Sequence, residues 1–263
     1  MKKVLFVTGT RADFGKIKNL MSVIESLESF ELHVLVTGMH MMRRYGSTYL
    51  EVKKENYNNV YMTSNQNEGE PMSSVLGNTI AIMTRLVNAI SPDLIVVHGD
   101  RVEALAGATV GALNHILVCH IEGGESSGTI DDSIRHAISK LSHIHMVANE
   151  EARTRLLQLG ETAESIFIIG SPDLDVMNSK NLPSLTEVKS HYGIDFDQYA
   201  VVMFHPVTSE EKDFKKYAQN LFQALEKSNK KYIVIYPNND TGSSKILNVI
   251  SDYEDHPNFK CYP

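Results

Sequence analysis

The chain has 263 residues, 42% of them hydrophobic and 22% charged, with a formal net charge of −7. This balance is ordinary for a soluble globular protein of one large or two modest domains, and the acidic surplus without any Lys/Arg-rich block argues against nucleic acid as a partner. The two cysteines, Cys119 and Cys261, lie far apart without CxxC spacing, so neither a zinc site nor a disulfide framework is indicated.

The opening MKKVLFVTGT carries an apolar run too short for a membrane helix and continues into turn residues rather than a cleavage site, so a cytoplasmic protein with no membrane partner is expected. Short β-rich runs at residues 4–7, 32–37, 94–97, 116–120, 145–148 and 166–169 alternate with stretches whose apolar positions recur every three or four residues. The predicted helices are 14–27, 73–90, 101–114, 130–142 and 150–159. Such alternation is the βαβ signature of a doubly wound parallel sheet. A break follows at Gly170-Ser171-Pro172, with a polar stretch over 177–184. Beyond it the pattern restarts with strand 200–204, helix 210–228, strand 232–236, helix 243–251 and a last strand at 259–262. The domains predicted are therefore 1–175 and 176–263. The second has too few elements to cover both faces of a doubly wound sheet and reads as truncated.

The turn GTRADFGK, residues 9–16, is bracketed by glycines and opens a helix. It presents backbone N–H groups and the positive end of a helix dipole, and Arg11 adds a cation suited to phosphate. The Gly9 to Gly15 spacing and Ile17 exclude a Walker A loop, and GxGxxG is absent. Where the run 94–97 stops, HGDRVEALA sets Asp100 and Arg101 at the carboxyl end of a buried strand, and ILVCHIEGGE ends likewise on Glu122. Open α/β sheets collect ligands at that end, so two neighbouring strands aim carboxylates into one crevice. Taken singly, each has a local alternative. Asp100 could cap a helix, Glu122 support the glycine turn, Asp131 pair with Arg135 and Arg11 with a surface acid. His136 is expected to pair with Asp132, and Met39, Met41 and Met42 to fill a core or subunit contact.

The motifs GTRADFG, GDRVEALA, HIEGGE, SGTIDDSIRHAISKLSHIH, HPVT and YPNNDTGS together resemble the hydrolysing UDP-N-acetylglucosamine 2-epimerases. The resemblance implies a GT-B-like α/β fold with two Rossmann-like domains and a UDP-sugar in the cleft between them. It implies elimination of UDP through 2-acetamidoglucal followed by hydration, with no redox cofactor or catalytic metal, in a homodimer or homotetramer. It assigns proton transfer to Asp100, Glu122 and Asp131, assistance of UDP departure to His205, nucleotide contacts to Arg11, Arg101 and Asn238, and a sugar contact to His40. Relatives acting on UDP-N,N'-diacetylbacillosamine, a GT-B glycosyltransferase and a non-catalytic UDP-sugar-binding fragment are the alternatives.

Overall fold

The computed structural model describes residues 1–179, 182–205, 213–238 and 242–263. Two compact units are formed by Met1–Lys180 and Asn181–Pro263.

The first unit runs β1 (Lys2–Thr8), α1 (Arg11–Ser26), β2 (Phe30–Val36), α2 (Tyr49–Lys54), β3 (Asn59–Met62), α3 (Met72–Ile90), β4 (Leu94–His98), α4 (Val102–Leu113), β5 (Leu117–Ile121), α5 (Ile130–Lys140), β6 (Ile144–Val147), α6 (Glu150–Gln158), β7 (Ile166–Ile168) and α7 (Pro172–Met177). Its seven strands form one parallel sheet in the order β3-β2-β1-β4-β5-β6-β7. The continuous apolar runs follow from burial on both faces. Leu5, Val7, Ile95, Val97 and Val118 pack against Met83, Val87, Ala106 and Val110, while Val4, Phe6, Val34, Val96 and Cys119 pack against Phe14, Ile17 and Met21. Helix α4 is apolar on nearly every side because it is sandwiched between the sheet and α3 and α5. Met39 and Met41 belong to this core, as the sequence allowed.

Three short elements of this unit, α2, β3 and α7, lie outside the predicted set. They span four to six residues, too few for either period to register, and the side chains of β3 are only half-buried. Among the described residues no helix is long and apolar enough to cross a membrane.

The second unit contains α8 (Leu185–His191), β8 (Ala200–Met203), α9 (Phe214–Lys227), β9 (Tyr232–Ile235), α10 (Ser243–Ser251) and β10 (Phe259–Tyr262). Its strands are parallel in the order β10-β9-β8. Helix α8 starts with a reciprocal capping box between Ser184 and Glu187, an S-x-x-E signature that the sequence reading passed over. The first residues of the expected helix 210–228 lie outside the described residues, as do parts of HPVT and YPNNDTGS. Phe222 is fully buried among Phe214, Tyr232, Val234, Ile250 and Phe259. Phe222→Ala is expected to destabilise this unit by about 3–5 kcal/mol, read as a lowered denaturant midpoint at unchanged slope.

Candidate active site

The strand order of the large sheet reverses between β1 and β4, and the loops after β1, β4 and β5 meet at the carboxyl edge beside that point, where open α/β sheets bind ligands. In the first loop Thr10 caps α1 and Asp13 returns the contact. The Asp13 carboxylate accepts the Gly9 amide at 3.0 Å, the Thr10 amide at 3.1 Å and the Thr8 hydroxyl. This corrects the expected open cradle. Two of the turn's N–H groups are already satisfied within it, and Gly15 lies inside α1 rather than in the turn. Arg11 is exposed at the first position of α1.

The loop after β4 is fixed from below by His120. This ring is fully buried; its Nε2–H donates to the Gly99 carbonyl at 2.8 Å and its Nδ1 faces the Ser139 hydroxyl at 3.0 Å. Burial pushes its pKa down to about 3, so the neutral ring acts as a strut. Asp100 follows, half-buried, in an ion pair with Arg135 of α5. Burial pushes its carboxyl above the usual range despite the Arg135 guanidinium, and the Asp131 charge adds to the rise. The local alternatives give way here. The N-cap of α4 is Arg101, so Asp100 caps nothing. Arg135 pairs with Asp100 and Asp132 rather than Asp131, whose carboxylate accepts the Thr129 hydroxyl at 2.8 Å. Asp132 accepts the Ser127 and Gly128 amides at 2.6 and 2.7 Å, and no hydrogen bond reaches His136 Nδ1, so the expected His136–Asp132 pair is not formed. Arg101 is partly buried, its Nε 3.5 Å from Glu103 Oε2.

Glu122, after β5, has a φ of 62°, a left-handed backbone that costs a non-glycine residue about 1 kcal/mol or more. Its carboxylate lies 2.9 Å from Lys16 Nζ and 3.1 Å from His98 Nε2, and it accepts the Ser171 hydroxyl at 3.4 Å. Lys16 also reaches Asp173 at 3.3 Å. Burial opposes ionisation of Glu122, but His98 and Lys16 outweigh it and hold the carboxyl at about 2. Lys16 is correspondingly raised, its carboxylate partners outweighing its own burial. Glu122 thus does more than brace a turn.

His40 is fully buried in a short 3₁₀ segment, Gly38–Met41, with Nε2 2.9 Å from the Thr8 hydroxyl and Nδ1 2.8 Å from the Thr48 hydroxyl. Both ring nitrogens are occupied and burial lowers its pKa, so the expected sugar contact is replaced by a tie between the first two loops. In the second unit, His205 and Asn238 are exposed beyond the carboxyl ends of the neighbouring strands β8 and β9.

The sequence profile of the family described as UDP-N-acetylglucosamine 2-epimerase matches residues 23–263. The chain belongs to this family. A relative from Neisseria meningitidis serogroup B named UDP-N-acetylglucosamine 2-epimerase is 60% identical over 97% of this chain and 67% of its own length. A UDP-N,N'-diacetylbacillosamine 2-epimerase (hydrolyzing) of Legionella pneumophila is 36% identical over 99% of this chain and 70% of its own. The chain therefore spans about two thirds of the length of these relatives. The crystal structure of Methanocaldococcus jannaschii UDP-GlcNAc 2-epimerase in complex with UDP-GlcNAc and UDP superposes with a TM-score of 0.81 at 20% identity, covering 99% of this chain and 73% of that one. The epimerase family's α/β architecture, GT-B-like as the resemblance implied, is thereby shared.

Around the expected carboxylates the structure adds residues that the sequence reading left aside, Lys16, His98 and Glu103, and it gives Arg135 a different partner, Asp100. Lys16 stood in the quoted motif GTRADFGK, but its partner is 106 residues away. Only the adjacency of β1, β4 and β5 brings them together.

Proposed function

We propose that the chain is a hydrolysing UDP-N-acetylglucosamine 2-epimerase, with UDP-N-acetylglucosamine as the substrate. The observation carrying this reading is the pair of unlike carboxylates on adjacent strand ends, Asp100 raised and Glu122 lowered in pKa, in a member of this family. Environments that push two carboxyl groups apart separate their roles. Asp100 is the group poised to accept the C2 proton, because a base works best with a pKa near the working pH. Glu122 stays ionised and, with Lys16 and His98, sets a fixed field at the ring. Asp131, at the first turn of α5, is the partner proton carrier for the opposite face.

In the elimination the C2–H electron pair becomes the C1=C2 bond as the C1–O bond breaks and UDP leaves. Arg11 and Arg101 meet the pyrophosphate, and His205 and Asn238 serve the nucleotide. Water then adds its hydroxyl to C1 and a proton to C2 on the opposite face, releasing N-acetylmannosamine. The 60% relative favours the N-acetylglucosamine nucleotide over the diacetylbacillosamine one of the 36% relative.

Incubation with UDP-N-acetylglucosamine in deuterated water tests the reading. UDP and free N-acetylmannosamine with deuterium at C2 are expected, followed by NMR. Retention of the original hydrogen rules out elimination, and turnover of only the diacetylbacillosamine nucleotide reassigns the substrate.

A further inference from the structure

The side chain of Glu103, in the first turn of α4, is 98% hidden from solvent, with a relative exposure of 2%, yet it is charged in kind and none of the proton-transfer steps above uses it. It threads between the loops that follow three successive strands. A Cβ on Gly9 would sit 3.0 Å from Glu103 Cδ, and one on Gly38 would sit 2.7 Å from Glu103 Oε1. At Gly9 the carboxylate is the nearest obstacle to a side chain, whereas at Gly38 the Gly9 carbonyl is nearer still, at 2.6 Å, and the φ of 61° favours glycine in its own right. From the third loop, Asn65 donates to Glu103 Oε1 at 3.3 Å and to the Thr79 hydroxyl at 2.8 Å, and accepts the Gly38 amide at 3.0 Å. The other carboxylate oxygen, Oε2, faces Arg101 Nε at 3.5 Å. One oxygen is therefore hydrogen-bonded to the loops, and the other meets the guanidinium as an ion pair with no hydrogen bond between Oε2 and Nε.

A carboxylate sealed from water is expensive to bury and is retained where its charge sets a partner. We propose that Glu103 is a positioning residue that anchors Arg101 at the phosphate end of the site, so that the guanidinium already faces the negative charge growing on the departing diphosphate. Arginine suits this role because its planar fork delivers directed N–H groups rather than a point charge. Preorganised donors act on the transition state more than on the bound substrate. Glu103 therefore serves the rate of bond breaking and contributes little to nucleotide affinity. The inference rests on the reading that Arg101 meets the nucleotide.

A double-mutant cycle on Arg101→Ala and Glu103→Gln, using UDP-N-acetylglucosamine turnover and calorimetric UDP binding, separates the two ideas. Glu103→Gln keeps the shape and the Asn65 contact but removes the charge. It is expected to lower kcat roughly ten- to a hundred-fold, the range in which a displaced electrostatic donor acts, while KM and the UDP Kd change by less than about three-fold. In the Arg101→Ala background the same change is expected to cost less than about two-fold. Glu103→Asp, which keeps the charge, is expected to retain more activity than Glu103→Gln; a mere filler of the loop gap predicts the reverse order. Wild-type kcat in Glu103→Gln, or full additivity with Arg101→Ala, overturns the positioning role. Unchanged UDP binding and turnover in Arg101→Ala instead overturns the nucleotide role of Arg101. Should Glu103→Gln fail to fold, Glu103→Asp takes its place in the cycle, and additivity there also overturns the proposal.

Discussion

Asp100→Asn is expected to lower kcat/KM by roughly a hundred- to ten-thousand-fold, the usual contribution of a positioned acid or base, while UDP binding stays within a few-fold of wild type. The pH profile identifies the group. A base must be deprotonated, so kcat/KM falls as pH drops through the pKa of Asp100 in the free protein. Burial raises that pKa against the pull of Arg135, with Asp131 adding to the rise and Arg101 and His98 opposing it. The acid limb should therefore lie above the ordinary carboxylate range and disappear in the Asn variant. Stability runs the other way. A carboxyl whose folded pKa is raised stabilises the fold when protonated, below its unfolded pKa, and loses that contribution as pH rises. At neutral pH the Asn variant should therefore unfold no earlier than wild type by more than a few degrees. Wild-type turnover in this variant, or a loss of activity that tracks a loss of folded protein, removes Asp100 from the chemistry.

Glu122→Gln is expected to act first on stability. The ordinary glutamate value of 4.5 falls to about 2 here, where His98 from β4 and Lys16 from α1 outweigh burial. That gap corresponds to about 3 kcal/mol of folding free energy. The side chain is 16% exposed, so solvent screening takes little from it. A lowered folded pKa gives stability that is complete above the unfolded value and is lost as pH falls through the folded one. Wild type and Glu122→Gln should therefore differ by about 3 kcal/mol in denaturant unfolding at pH 7, and the difference should close between about pH 4.5 and 2. Among the described residues, the Gln variant also leaves Lys16 with Asp173, at 3.3 Å, as its one carboxylate partner. Turnover of this variant is meaningful only per folded molecule. A difference that stays constant with pH, or none at all, contradicts the ion-pair account of Glu122.

These two residues lie on one edge for reasons of different range. The strands over 94–98 and 117–121 announce themselves through the mainly apolar runs 94–97 and 116–120, because a parallel sheet buried on both faces demands them. The carboxylate after each run was accordingly legible, as were, among the described residues, the seven helices of nine residues or more, within a few residues at either end. The four-residue β3, half-buried throughout, left no period to read. Local spacing also misdirected the pairings. Arg135 lies one turn from Asp131 and Asp132, so a helical-neighbour rule offers it to Asp131, but the partner that raises the question of mechanism is Asp100, 35 residues back in the loop after β4. His40, in the loop after the second strand, was expected to contact the sugar through the family resemblance. The fold instead seals it between Thr8 and Thr48.

What the amino-acid order by itself determined is the longer elements, their α/β class, the family motifs and the residue types at each strand end, because hydrophobic periodicity and turn chemistry are properties of near neighbours. Tertiary structure alone decided which charges meet. The order β3-β2-β1-β4-β5 brings Lys16 to Glu122, Arg135 to Asp100 and Glu103 to the loops of Gly9, Gly38 and Asn65. Ionisation follows those meetings and the burial that accompanies them. Asp100 and Glu122, similar carboxylates in the sequence, become opposite in the fold because both are partly buried while the neighbouring cations outweigh that burial only at Glu122.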